Sequence, residues 1–316
     1  APTGTSYLMS GATMIPYRER KDALGTPDNI HIDSGKNPPH GVLVHYALPA
    51  GREGRATLTF LDARGAEIKT FRPKGTDEEE KKAKEAGDSD PRIPAAAGAN
   101  RFLWDMRYPA PTKVVGDASG AFAGEASGPV APPGDYRVRL TVGETTLEQP
   151  FAIVPDPRSD ATPEDFAAQF ALLLEIRDKT SEGHQAILQL RTVRQQVERW
   201  EERAKDKPEL AQIPEAAKGL KEKLAKIEDE LIQHRAKGMQ DTLNFPVKLN
   251  AKLSFLAGVI ESGDGPPTQG ARQVFGDLAA RVDTQREALA DVMYEDVVAF
   301  NALIASYQLP AITPPE

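Results

Sequence analysis

Ala99-Asn100-Arg101-Phe102-Leu103-Trp104-Asp105 and Pro133-Gly134-Asp135-Tyr136-Arg137-Val138-Arg139-Leu140 decide the reading of this chain. The first stretch reads as a strand, the second as a turn that feeds another. Tyr136, Val138, Leu140 and Val142 fall on one face, with Arg137, Arg139 and Thr141 on the other, the period of two of a strand with one side buried. Gly143-Glu144 turns the chain into a last strand, Thr145 to Ile153. Pro155-Asp156-Pro157 ends the sheet, because proline brings no N–H to a ladder.

The same alternation runs upstream. Val42, Val44, Tyr46 and Leu48 alternate with Leu43, His45 and Ala47, and Ala56, Leu58 and Phe60 alternate with Thr57 and Thr59. Asp62-Ala63-Arg64-Gly65 is a hairpin-type turn into Ile68-Lys69-Thr70-Phe71. Short strands at this spacing predict a β-sandwich over 37–156. Two segments interrupt it. Residues 73–93 pair Asp77 with Lys81, Glu78 with Lys82 and Glu80 with Lys84, a charged, solvated insertion. Residues 113–131, rich in Gly, Ala and Ser, read as a flexible loop. Residues 1–36 carry no sustained period and read as an extended N-terminal arm.

Beyond Ala161 the period becomes helical. Thr162 suits an N-cap and Pro163 the first helical position. Phe166, Phe170, Leu173, Ile176, Ile187, Leu190, Val193, Val197 and Trp200 form one stripe that runs to about Ala204. A second helix carries Leu220, Leu224, Ile227 and Leu231. A third starts at Pro246 and carries Leu249, Leu253, Leu256 and Ile260. A fourth carries Phe275, Leu278, Val282, Leu289, Met293, Val297, Phe300 and Ile304. Short connections predict an antiparallel four-helix bundle over 162–308, followed by a tail, 309–316. The fold class expected is therefore multidomain α+β: an N-terminal immunoglobulin- or fibronectin-III-like β-sandwich, then the bundle.

Composition narrows the function classes. The formal net charge of -8 argues against nucleic acid as the partner, because phosphate is bound by Lys and Arg. With no cysteine, thiolate chemistry, disulfides and Cys-ligated metal are excluded. No apolar run approaches the ~18–20 residues of a membrane-spanning helix. Ala1-Pro2-Thr3-Gly4 has neither a basic nor an apolar signal region, and a processed end is expected.

Chemistry-bearing candidates are few. The five histidines, His31, His40, His45, His184 and His234, show no metal-ligand spacing beyond the weak His31-Ile32-Asp33. His184 and His234 lie in charged helical stretches and are expected at the surface. Asp105 beside Trp104 is the one carboxylate worth weighing for glycosidase-type work; its simpler role is to accept backbone donors at a strand end. Trp104 and Tyr136 read as core or corner aromatics, with a sugar platform as the functional alternative. Tyr7, Met9, Met14 and Tyr17 of the arm, with Trp104 and Trp200, are the residues by which a protein partner would be met. No catalytic, cofactor-binding or metal-ligating residue is assigned, and no cofactor is expected.

Several motifs then follow one order: Gly35-Lys36-Asn37-Pro38-Pro39-His40-Gly41, Asn100 to Pro109, Pro132 to Val138, Gln149-Pro150-Phe151, Asp156-Pro157-Arg158 and Asn244 to Leu249. Together they resemble the C-terminal region of large exported bacterial proteins with sortilin-like, bacterial-neuraminidase-repeat β-propellers. The propeller and its S-x-D-x-G-x-x-W repeat are missing, and the hydrolase label of such proteins belongs to the propeller, so no catalytic residue carries over. The resemblance implies a sandwich plus helix bundle outside the cytoplasm, peripheral to a membrane or secreted. The expected function is a non-catalytic scaffold or protein-interaction module, an accessory subunit of a larger, membrane-associated assembly. The alternative is an accessory domain or fragment of a glycoside-hydrolase-like propeller protein, with carbohydrate as ligand.

Overall fold

The computed structural model describes residues 7–8, 40–51, 55–119 and 126–308. The chain is α+β and divides into two compact units, one of sheets and one of helices.

The sheet unit holds β1 (Tyr7–Leu8), β2 (Val42–Leu48), β3 (Ala56–Leu61), β4 (Glu67–Phe71), helix α1 (Asp77–Glu85), β5 (Gly98–Trp104), β6 (Gly134–Val142) and β7 (Thr145–Ile153). Strands β1-β2-β5 form one sheet and β4-β3-β6-β7 the other, with every pair antiparallel. The faces predicted by alternation are the buried ones. Val42, Val44, Tyr46 and Phe102 of one sheet share a core with Leu58, Phe60, Val138 and Leu140 of the other. The β3–β4 turn is held by Asp62, whose Oδ1 accepts from the amides of Arg64 (2.9 Å) and Ala66 (2.8 Å).

The charged insertion folds as α1, closed at its start by a capping box. Thr76 accepts from the Glu79 amide, and Glu79 accepts from the Thr76 amide. Arg55 adds an ion pair to Glu79 at 2.9 Å. That guanidinium and the Thr76 backbone hold the Glu79 carboxyl down at about 2. Ile93, at the far end of the insertion, returns to the core.

The helical unit is built from α2 (Pro163–Ala204), α3 (Gln212–Leu231), α4 (Leu249–Glu261), α5 (Gln269–Tyr294) and α6 (Asp296–Ser306), α2 having its first turns in the sheet unit. Ion pairs give their directions. Arg191 and Arg194 meet Glu228, and Glu201 meets Lys221, so α3 descends as α2 rises. Arg281 meets Glu230 and Lys223 meets Asp296, so α5 and α6 run opposite to α3. Lys179 meets Asp283 and Glu182 meets Arg286, so α5 runs with α2. Lys248, just before α4, reaches Asp229 at the end of α3, and α4 packs against α5.

The arrangement thus differs from four antiparallel helices joined by short turns. It has three columns: α2 alone, α3 followed in the same direction by α4, and α5 followed by α6. The 42 residues of α2, about 63 Å at 1.5 Å per residue, provide the length along which the other two columns are laid. The predicted fourth helix breaks at Glu295, whose φ of -102° and ψ of -63° close α5 and open α6. No proline or glycine marks that break in the sequence.

The expected flexible loop of 113–131 is a second difference. Residues 111–119 belong to the helical unit, and Val114 is buried in its core with Leu172, Ile176 and Leu253. Residues 128–131 return to the sheet unit, where Tyr108 N donates to Pro129 O (2.9 Å) and Ala131 N to Met106 O (2.7 Å).

Candidate functional site

Trp104, expected both as a core aromatic and as a contact for a partner, is 0% exposed. It stacks on Phe60 at 4.2 Å between centroids, meets Tyr136 and Phe151 edge-on, and donates from Nε1 to Arg107 O at 3.2 Å. It therefore offers neither a sugar platform nor a docking face. Asp105 accepts from the Arg107 amide at 3.1 Å, the role of a strand-end carboxylate. Tyr136 donates its hydroxyl to Pro132 O at 2.7 Å, and burial pushes that phenol well above its usual value.

Trp200 packs on the helical core, with the Arg203 guanidinium 4.3 Å over its ring. Met9, Met14, Tyr17, His31 and Asp33 lie outside the described residues, and of Tyr7 only the backbone pairing with Ala47 is described. Among the described residues no group of three or more His, Cys, Asp or Glu could hold a metal ion. Among them, too, no helix is long and apolar enough to cross a membrane.

His184 corrects the expectation of a surface histidine. It is 7% exposed, and its Nδ1 lies 2.5 Å from the Thr112 carbonyl oxygen. The Thr112 amide donates to Ser181 Oγ at 3.1 Å, so α2 grips the 111–119 segment by both backbone groups of one residue. On α4, Asn250 donates to Asp117 Oδ2 (2.9 Å) and Ser119 Oγ (3.1 Å). His184 Nε2 and Asn250 Oδ1 are buried with no partner among the described residues. Burial lowers the His184 pKa against the opposing pull of the Thr112 carbonyl and the Asp117 charge. The cluster straps a loop to two helices.

Open space lies along α2 and α5. A groove of about 320 Å³ is lined by Glu182, Gln185, Ala186 and Gln189 of α2 and by Arg286, Leu289, Ala290, Met293 and Tyr294 of α5. Its spacing on both helices follows one face, with residues three or four apart. At one end Lys179, Glu182, Asp283 and Arg286 form a closed network with contacts of 2.7–3.1 Å. Two cations and two carboxylates balance there. Asp283 is held below the usual carboxylate range chiefly by its hydrogen bond from Lys179. At the other end Tyr294 stands 82% exposed, and Val298 one turn on is 58% exposed.

Sequence reasoning missed this groove. Leu289, Met293 and Val297 were visible as the apolar stripe of one helix, but nothing local shows that α2 stands off from α5 beside them. Comparison with protein-family models, curated proteins and solved structures returned no match.

Proposed function

We propose that this chain is a non-catalytic scaffold or protein-interaction module, an accessory subunit of a larger assembly outside the cytoplasm, peripheral to a membrane. The observation that carries the reading is the set of large apolar side chains left in water on well-packed helices. Tyr294 and Val298 stand one turn apart, and so do Phe255 (61% exposed) and Val259 on α4. Apolar side chains grouped on one face mark surfaces that meet another macromolecule.

The sheet unit is read as an immunoglobulin- or fibronectin-III-like sandwich. Three features support it. The neighbours β3-β6-β7 and β2-β5 match the C-F-G and B-E pairings of that architecture. Tyr136, near the start of β6, bonds back to Pro132 in the manner of a tyrosine corner. A buried tryptophan lies between the sheets' aromatics, here contributed by β5. The helical unit is read as a bundle in which two of the columns are each made of two helices. The resemblance of the ordered motifs to the C-terminal region of exported propeller proteins supports the placement outside the cytoplasm.

Sedimentation of an extract from the native source tests the reading. The chain is expected in a complex larger than its own monomer, and recovery only as a free monomer would overturn the reading.

A further inference from the structure

Resting on that reading, we propose that the α2–α5 groove is the docking site for a basic amphipathic helix of a protein partner. Its apolar floor is Ala186, Leu289, Ala290 and Met293, with Tyr294 as the exposed wall. A furrow between two helices takes a third helix by ridge-into-groove packing, read as anchors at i, i+3, i+4 and i+7. The α5 lining from Arg286 to Tyr294 spans about 12 Å, enough for roughly two turns of the occupant.

The sign of the partner follows from charge. The cation in the lining, Arg286, is already neutralised by Glu182 and Asp283. Beyond Tyr294 on the outer side of α5, Glu287, Asp291 and Glu295 recur every fourth residue, all exposed and with no ion pair among the described residues. Like charges at this spacing repel. Lysine or arginine along one edge of the incoming helix relieves this repulsion, whereas an acidic helix, or the same face of a second copy, aggravates it.

Fluorescence polarisation with two labelled 18-residue synthetic helices, one Leu/Lys and one Leu/Glu, tests this on the full chain. The Leu/Lys peptide is expected to bind saturably and more weakly as salt rises. Tyr294→Ala should weaken it about 30-fold, as an aromatic anchor does. Glu287→Lys with Asp291→Lys should weaken it at least ~10-fold and let the Leu/Glu peptide bind. Val274→Ala, an exposed apolar position outside the groove, should leave the affinity unchanged, with the circular dichroism of every variant matching the parent. No binding, equal binding of the two peptides, variants that bind like the parent, or a Tyr294-dependent dimer of the chain would each overturn the proposal. If the native complex persists with Tyr294→Ala and Asp291→Lys combined, the groove assignment falls and the scaffold reading stands. If the parent chain forms no complex, the scaffold reading falls as well.

Discussion

His184 on α2 donates its Nδ1 proton to the Thr112 carbonyl at 2.5 Å, tying the 111–119 segment to the helical core. A carbonyl can only accept, so this nitrogen carries the proton and the buried Nε2 is a bare acceptor. A second proton would put a charge among apolar side chains, with Asp117 as the nearest compensating carboxylate.

The folded-state pKa of His184 is therefore lowered from the unfolded value of about 6.5. Below that pH the unfolded chain takes up a proton that the folded chain refuses. The stability is fully present above about pH 6.5 and is lost as pH falls from there toward the lower folded-state value. The melting temperature is expected to decline between about pH 6.5 and 5, a window above the ordinary carboxylate range. In His184→Gln that slope should flatten. An unchanged slope would count against the strap.

Glu228 is 2% exposed and is held by Arg191 Nε at 2.7 Å and by Arg194. Burial raises its pKa, but the two guanidiniums together outweigh that and keep it lowered. Glu228→Ala leaves two arginines facing a hole between α2 and α3 and should cost about 2–4 kcal/mol in urea unfolding. Replacing all three residues by apolar ones of similar size should recover most of that loss, because a buried ion group is weak as net stabilisation.

Trp104 fills the middle of the sheet unit's core. Trp104→Ala should cost about 3–5 kcal/mol, and Trp104→Phe distinctly less, read from denaturant midpoints. A Trp104→Ala chain as stable as the parent would show that the ring is not the packing centre.

Gly128 admits the 128–131 return segment. A Cβ there would lie 1.9 Å from the Tyr108 carbonyl oxygen. Gly128→Ala should push the two segments apart at a cost of about 1–3 kcal/mol. Hydrogen exchange at the Tyr108 and Ala131 amides, which bond across this pair, should quicken while the amides of α2 keep their protection.

The strands were legible because each buries one face, so alternation alone placed Tyr136, Val138 and Leu140 inside. The helices were legible for the same reason at a longer period. The strap was not, because Gly, Ala and Ser surround Val114, Asp117 and Ser119 and dilute any pattern. A signal for His184 did exist: between Ile176 and Ile187 the α2 stripe is completed by Thr180 and His184, both buried, whose polar character hides the continuity. Column directions were beyond reach, since they depend on Lys248 meeting Asp229 and Arg281 meeting Glu230 across long separations. The groove depends on two helices standing apart, a property of no single segment.

Photo-crosslinking in the native source tests the central claim most directly, with a benzophenone side chain at position 290 or 294 and a control at position 205, away from the groove. The account predicts that positions 290 and 294 join one discrete protein partner and that position 205 joins none. Adducts from no position, or equal and heterogeneous adducts from all three, would contradict it.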